Sequence, residues 1–205
     1  MASVDLRAFA RANLPEPPAR VLEVGAGSGR LARALRAAGY DVVAIDPRSN
    51  SEDVRSVALA ELDEPTGSFA AAIAVVSLHH VDPLDESCRR LAEVVEPGGT
   101  LVVDEFDAGA FDLGAAAWWL EQRAAIGEPQ PQTVEELVAD HREHLHPLER
   151  ILAALEPYFE LGPPVRGAWL HRWNLGDSLR AVEEDAIARG DLRAVGARLV
   201  GRRRS

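Results

Sequence analysis

Short apolar runs alternate along this chain with stretches in which apolar residues recur every third or fourth position. Continuous apolar runs are typical of parallel strands buried on both faces, and the helical periodicity is typical of helices packed against them. The runs predict strands at 20–24, 41–45, 69–78 and 100–103, a weaker strand at 53–59, and two later strands at 164–170 and 197–201. Strands and helices that alternate with right-handed crossovers predict an α/β fold with a doubly wound, mostly parallel sheet.

Start and stop signals mark the helices between these strands. Gly39 ends the first of them, since glycine readily takes the left-handed conformation found after a helix C-terminus. Asp82-Pro83 predicts the beginning of the next helix, which places Cys88 on its apolar face as a core residue. Two further helices are predicted at 147–156 and 177–188.

The alternation lapses between residues 106 and 146, which contain a Trp118-Trp119 pair and a proline-rich break. Thr133 and Glu136 have the spacing of a capping box and predict a short helix there. We expect this stretch to be a helical cap, inserted after the strand at 100–103 and folded over the C-terminal edge of the sheet. The chain is then a single domain, 1–205, in which 1–19 form an N-terminal helix and linker and 147–205 the C-terminal part of the sheet.

The composition narrows the chemistry. All 22 residues of the Lys and Arg count are Arg, which excludes a Schiff-base lysine and a P-loop lysine. With Cys88 as the only cysteine, no internal disulfide is expected, and a reducing, cytoplasmic compartment fits best. The net charge of −11 disfavours nucleic acid as a partner. Since no long apolar run occurs, we expect neither a membrane span nor a secretory leader.

The strongest local signal is the run EVGAGSG at residues 23–29, where the first strand turns into the first helix. Glycines there let a ligand approach the backbone, and the helix N-terminus presents free N–H groups. Asp46 ends the second strand, where a carboxylate accepts both hydroxyls of a ribose. Together they predict a nucleoside ligand, although the glycines could instead serve only a tight turn. Arg30 stands where the dinucleotide fingerprint requires its third glycine, which disfavours a nicotinamide cofactor.

The run VLEVGAGSGRLARAL resembles the first motif of the class I S-adenosylmethionine-dependent methyltransferases. DVVAID, FAAAIAVVSLHHV and RRLAEVVEPGGTLVVDEF are similar, in that order, to the family's following motifs, except that Ala70 replaces a common aspartate. The resemblance implies a seven-stranded Rossmann-like sheet with an antiparallel last strand at 197–201, and S-adenosyl-L-methionine bound by a core at 20–105. Carried over position by position, it implies these donor-binding residues: Glu23, Gly25, Ala26, Gly27, Gly29, Asp46, Ala58, Leu59, Val76 and Ser77.

Histidines and carboxylates remain as candidate bases. His80 follows the strand at 69–78 and is expected at the mouth of the site, either as a base or as a residue that shapes the loop. His141 and His144 continue an apolar helix stripe, so we expect both to face inward, as half-buried structural residues or as acceptor-site groups. Glu105 could orient an acceptor from the end of its strand, and His146 could cap the helix that follows it. We expect no metal.

The leading hypothesis is therefore a methyltransferase that transfers a methyl group to an oxygen or nitrogen of a small molecule. An enzyme that binds the same donor but catalyses a non-methylating reaction is the alternative, and a non-catalytic binding protein is another. The acceptor and the oligomeric state stay open.

Overall fold

The computed structural model describes residues 6–205, which form an α/β fold. Four short 3₁₀ turns lie at 59–61, 78–80, 170–172 and 177–179. The helices are α1 Leu6–Asn13, α2 Arg30–Ala37, α3 Leu84–Val94, α4 Leu113–Ala125, α5 Val134–His144, α6 Leu148–Leu155 and α7 Arg180–Arg189. The strands are β1 Arg20–Val24, β2 Asp41–Ile45, β3 Phe69–Val75, β4 Val95–Phe106, β5 Phe159–Leu161, β6 Val165–Gly167 and β7 Gly196–Arg203. Among these residues no helix has the length and apolar character needed to cross a membrane.

The strands form one seven-stranded sheet in the order β2-β1-β3-β4-β7-β5, with β6 also paired to β7. Strands β2, β1, β3 and β4 are mutually parallel, and β7 runs antiparallel to β4. The predicted doubly wound, Rossmann-like sheet with an antiparallel last strand is confirmed. Its parallel half brings the carboxyl ends of β1, β2 and β3 to one edge, where open α/β sheets bind their ligands.

One predicted strand is absent from the sheet, and one strand of the sheet was not predicted. The weak strand expected at 53–59 is reduced to one bridge between Ile45 and Arg55, and a 3₁₀ turn follows it. That segment is interrupted by polar residues and offers too little apolar surface for a buried edge strand. The sheet still has seven strands because it contains β5, which was not predicted. The three residues of β5 are too few to give a periodic pattern of apolar positions.

Helices cover both faces of the sheet. Helices α3 and α6 pack on one face through a cluster that contains Cys88, whose side chain is fully buried. Burial raises the pKa of the Cys88 thiol to about 12, so the predicted core role is confirmed. The other face carries α1 and α2, whose Ala10, Ala32 and Leu35 pack against the strands.

The stretch between β4 and α6 contains two helices, and the capping box predicted where the second of them begins. Helix α5 begins with the expected capping box of Thr133 and Glu136. Helix α4 is capped at its N-terminus by Asp112, whose side chain accepts a hydrogen bond from the amide of Ala115. A second hydrophobic cluster joins both helices to the end of β4 and to the segment before α7; it includes Phe106, Phe111, Trp119, Leu137, Trp169 and Leu175.

Candidate active site

The turn between β1 and α2 is shaped by glycines in the left-handed region. Gly25, Gly27 and Gly29 have φ values of 70°, 51° and 73°, which side chains other than glycine rarely adopt. The amides of Gly25 and Ala26 both donate to the carbonyl of Ile45 at the end of β2, at 2.9 and 3.0 Å. These bonds place the end of β2 directly beside the glycine turn.

Asp46 continues this connection through its side chain. Its Oδ2 accepts a hydrogen bond from the Gly27 amide at 2.9 Å, and its Oδ1 accepts one from the Arg48 amide at 2.8 Å. Each carboxylate oxygen keeps a further lone pair, so Asp46 can accept two more hydrogen bonds from vicinal hydroxyls. The side chain is partly exposed and lines a cleft.

The turn after β3 forms the opposite wall. Val76 has a φ of 52°, a strained value for a β-branched residue, and its amide donates to the carbonyl of Asp104 at 2.8 Å. The turn also passes very close to the glycine turn: a Cβ built on Gly25 would lie 2.2 Å from the Cβ of Ser77. Only glycine at position 25 permits this approach.

Between these walls lies an open cleft with a cavity volume of about 210 Å³. Six of the predicted donor-binding residues line it: Gly25, Asp46, Ala58, Leu59, Val76 and Ser77. The other four do not line it, because Glu23 is buried within β1 and Ala26, Gly27 and Gly29 form the adjoining turn. The cleft is also lined by residues that the sequence motifs did not indicate: Pro47, Arg48, Val57, Val81, Asp82 and Ser87.

Two buried polar atoms at this site have no hydrogen-bond partner among the described residues. They are Oγ of Ser77 and Oε2 of Glu23. Burial raises the pKa of Glu23 to about 7, against the opposing effects of the Ala32 amide and the charges of Arg36 and Arg33. Of these two residues only Ser77 lines the cleft, where its hydroxyl and the carboxylate of Asp46 fit a ligand that carries hydroxyls and hydrogen-bond donors, as S-adenosylmethionine does.

His80 is the predicted catalytic residue that the structure does place in the cleft. Its ring is exposed, yet partial desolvation, followed by the neighbouring His79, Arg48 and His141, lowers its pKa to about 4. At neutral pH the ring is therefore uncharged, and a pKa this low makes it a weak base.

The prediction that Glu105 orients an acceptor was wrong, because its side chain does not face the cleft. Its side chain is completely buried, Oε1 accepts the amides of Ser77 at 2.8 Å and Leu78 at 2.6 Å, and Oε2 lies 2.5 Å from Nδ1 of His79. All of its hydrogen bonds go to the turn after β3. It is therefore not available to orient an acceptor.

The prediction that His144 faces inward was also wrong. Its side chain is 63% exposed, and Nδ1 lies 2.9 Å from the carbonyl of Asp140, the contact that contributes most to raising its pKa. The inward stripe of α5 passes through His141 to Leu145, four residues on, and leaves position 144 outside it.

His141 does face inward. It is half-buried against an aromatic group, with its ring centroid 4.8 Å from Phe111, 4.9 Å from Trp173 and 5.8 Å from Phe106. Burial lowers the pKa of His141, so the ring is neutral at pH 7. It packs against Phe106 and Phe111 of the second hydrophobic cluster and does not line the cleft.

The sequence suggested that His146 caps α6, but in the structure it does not. Its amide donates to the carbonyl of His79 at 3.0 Å, and its Nε2 lies 3.0 Å from the carbonyl of Val81. His146 thus ties the chain between α5 and α6 to the turn after β3. Within residues 6–205 no group of histidine, cysteine and carboxylate side chains is arranged to hold a metal.

Comparison with known proteins assigns the family. Residues 2–153 match the family described as a methyltransferase domain, and the chain belongs to it. Membership of this family, on this fold, implies S-adenosylmethionine as the cofactor of the chain.

Relatives of known sequence agree with this assignment. An uncharacterized methyltransferase of Mycobacterium tuberculosis is 30% identical over 165 residues, which cover 66% of this chain and 82% of that protein. An uncharacterized methyltransferase of Mycobacterium bovis is 36% identical over 98 residues, 43% of this chain but only 40% of that protein. A ubiquinone biosynthesis O-methyltransferase of Xanthomonas campestris is 36% identical over 109 residues, 45% of each chain.

Solved structures share the fold at low identity. An S-adenosylmethionine-dependent methyltransferase of Methanosarcina mazei superposes with a TM-score of 0.66 at 18% identity, covering 98% of this chain and 99% of that one. The (4+2)-cyclase SpnF gives 0.60 at 19% identity, covering 96% of this chain and 79% of that one.

Proposed function

We propose that this enzyme transfers the methyl group of S-adenosylmethionine to an oxygen or nitrogen atom of a small molecule. The observation that carries the proposal is the position of His80, an uncharged imidazole in the same cleft as Asp46 and Ser77. The acidic net charge argues against nucleic acid as the acceptor. The likeness to a ubiquinone biosynthesis O-methyltransferase supports a small acceptor.

Much of the rate enhancement in a methyl transfer comes from aligning the acceptor atom with the methyl group of the donor. Bound S-adenosylmethionine offers a methyl group on a sulfonium that is already activated for displacement, so the protein must chiefly hold the acceptor in line. In this proposal Asp46 holds the ribose hydroxyls and Gly25 lets the donor approach the backbone. His80 accepts the proton that a hydroxyl or an ammonium acceptor must lose. Arg48, which also lines the cleft, cannot serve as this base because it stays protonated.

The test is transfer of label. Purified protein is incubated with S-adenosylmethionine carrying a labelled methyl group and with a fractionated metabolite extract. We expect label in one or a few small-molecule fractions, and donor binding without transfer to any fraction would contradict the proposal. His80→Gln should lower the rate of labelling about 10²- to 10⁴-fold if His80 is the base, while the neighbouring surface variant Glu86→Gln should not.

A non-methylating reaction is the second candidate, since a cyclase shares this fold. The two are separated by replacing S-adenosylmethionine with S-adenosylhomocysteine, which has no methyl group to give. Substrate that is still converted with S-adenosylhomocysteine would favour the second candidate. Conversion that stops, together with labelled product from the methylated donor, would favour methyl transfer.

A further inference from the structure

Two fully buried glutamates, Glu105 and Glu183, each accept hydrogen bonds from the backbone amides of a turn. Glu105 accepts the amides of Ser77 and Leu78 and contacts Nδ1 of His79 at 2.5 Å. Glu183 accepts the amides of Trp169 at 2.6 Å and Leu170 at 2.8 Å. It also accepts the amide of His171 at 2.8 Å and lies 2.7 Å from Nδ1 of that ring. Each glutamate thus holds a turn with the sequence x-Leu-His.

Only the first of these turns lines the donor cleft. Ser77 is in the cleft wall, whereas none of Trp169, Leu170 and His171 is among the residues that line it. The first turn also begins with strained backbone, since Val76 has a φ of 52°. A strain of this kind persists only where the surrounding contacts enforce it.

The contacts that enforce it come from β4. The Val76 amide donates to the carbonyl of Asp104, and the next amide, that of Ser77, donates to the side chain of Glu105. Two successive residues of β4 therefore hold two successive amides of the turn. This arrangement brings Ser77 against Gly25, where the two walls of the cleft meet.

We propose that Glu105 is a positioning residue of the donor site, which fixes the Val76–His80 turn as one wall of the cleft. It does not touch the donor or the acceptor; it acts through Ser77 and through the ring that precedes His80. The inference rests on the proposed donor cleft, and it gives a role to a carboxylate that the reaction itself does not use.

Glu105 also sets the tautomer of His79. An ionised carboxylate only accepts hydrogen bonds, so Nδ1 of His79 carries the proton and Nε2 of a neutral ring does not. The His79 ring packs against His80, with centroids 4.3 Å apart. A change at Glu105 can therefore be detected on His79 by nuclear magnetic resonance, separately from any loss of stability.

The first experiment compares Glu105→Ala with Glu183→Ala, which removes the matching carboxylate from the turn outside the cleft. Both variants leave buried amides unpaired, so both should lower the melting temperature. Titration calorimetry with S-adenosylmethionine should show a dissociation constant at least about 10-fold higher for Glu105→Ala, as expected when a cleft wall loses several hydrogen bonds. For Glu183→Ala the dissociation constant should change less than about 3-fold.

Glu105→Gln keeps the proposal testable if Glu105→Ala does not fold. The amide oxygen can still accept the two backbone N–H groups, but the amide nitrogen donates, so His79 must move its proton from Nδ1 to Nε2. We expect donor affinity between those of the wild type and Glu105→Ala, and a change of the His79 tautomer seen in ¹⁵N spectra of the ring. An unchanged tautomer would contradict the contact between Glu105 and His79.

The outcomes separate this inference from the function it rests on. Wild-type protein that does not bind S-adenosylmethionine would overturn the donor cleft itself. Wild-type protein that binds, with Glu105→Ala binding equally well, would overturn only the positioning role. Equal losses of affinity in Glu105→Ala and Glu183→Ala would also overturn it, because the effect would then follow general stability.

Discussion

At the residue scale, Asp46 is the most direct test of where the donor ribose lies. Asp46→Ala removes an acceptor of charge-assisted hydrogen bonds, so we expect donor binding to weaken by about 1–3 kcal/mol. Calorimetric titration with S-adenosylmethionine measures this. Asp41→Ala is the matched control, because Asp41 begins the same strand at the opposite end and pairs with Arg20. Equal affinities of Asp46→Ala and wild type would mean that the ribose lies elsewhere.

Glu23 gives a prediction about pH. Folding raises its pKa from 4.5 to about 7, so between these pH values the folded chain binds more protons than the unfolded chain. The free energy of unfolding should therefore fall as the pH rises through this window, by up to about 3 kcal/mol from this group. Glu23→Gln cannot ionise and should lack this part of the slope.

The measurement is urea unfolding of both proteins at about pH 5 and at about pH 8, on either side of the window. Other groups titrate equally in both, so the difference between the two proteins isolates Glu23. Relative to Glu23→Gln, the wild type should lose stability at the higher pH. Curves that stay parallel would show that Glu23 does not titrate with a raised pKa.

Single residues also show what sequence reasoning can and cannot reach. Gly25 and Asp46 were found because their roles follow from local backbone chemistry at strand ends. The contact between His79 and Glu105 was missed because the two residues are 26 positions apart and no local pattern reveals it. Position 144 was misjudged because a helix stripe defines a face only to within one or two residues near its end.

At the element scale, the β1–α2 turn allows two glycine substitutions to be compared. Alanine at position 27 meets no atom within 4 Å and has only the left-handed φ to bear, at a cost of roughly 1–2 kcal/mol. Alanine at position 25 bears the same kind of φ and also collides with Ser77 at 2.2 Å. We expect Gly25→Ala to be less stable than Gly27→Ala by about 2 kcal/mol or more.

Urea unfolding of the two variants checks this, and titration with S-adenosylmethionine should show the larger loss of affinity in Gly25→Ala. Equal stability of the two would mean that the turn after β3 can move away without cost. In that case the close approach of the two cleft walls would not be a fixed feature of the fold.

Long helices and strands were predicted from the sequence more reliably than short ones. Strands β1 to β4 and helices α3 and α6 carry long or strongly periodic apolar patterns, and each was found. Strand β5 has three residues and pairs with β7, which is distant in sequence, so its existence depends on tertiary contacts. The bounds of helix α4 were not predicted, because its Trp pair and alanines lie in a stretch with no regular alternation of strands and helices.

At the scale of the whole molecule, Asp104 joins parts of the chain that are far apart in sequence. Its buried carboxylate accepts Nη1 of Arg172 at 2.6 Å and Nε of Arg198 at 2.7 Å. The side chain therefore links β4 to β7 and to the 3₁₀ turn at 170–172. Because successive residues of a strand face opposite sides, Asp104 does this on the other face from Glu105.

Asp104→Ala should therefore cost about 3 kcal/mol of stability, the low end for breaking a buried ion pair, because both arginines are partly exposed. Urea unfolding measures the loss. The backbone carbonyl that holds Val76 is unchanged, so donor affinity should stay within about 3-fold of the wild type. A stability loss below about 1 kcal/mol would show that the two arginines find other partners.

Cys88 is the only thiol of the chain, and it is fully buried with a pKa of about 12. Thiol reagents attack the thiolate, so maleimides should leave the folded wild-type protein unmodified. A cysteine placed at exposed Ile126, at the end of α4, would then be the one reactive site on the native surface. A fluorophore attached there would report directly on whether the helices between β4 and α6 move when the donor and an acceptor bind.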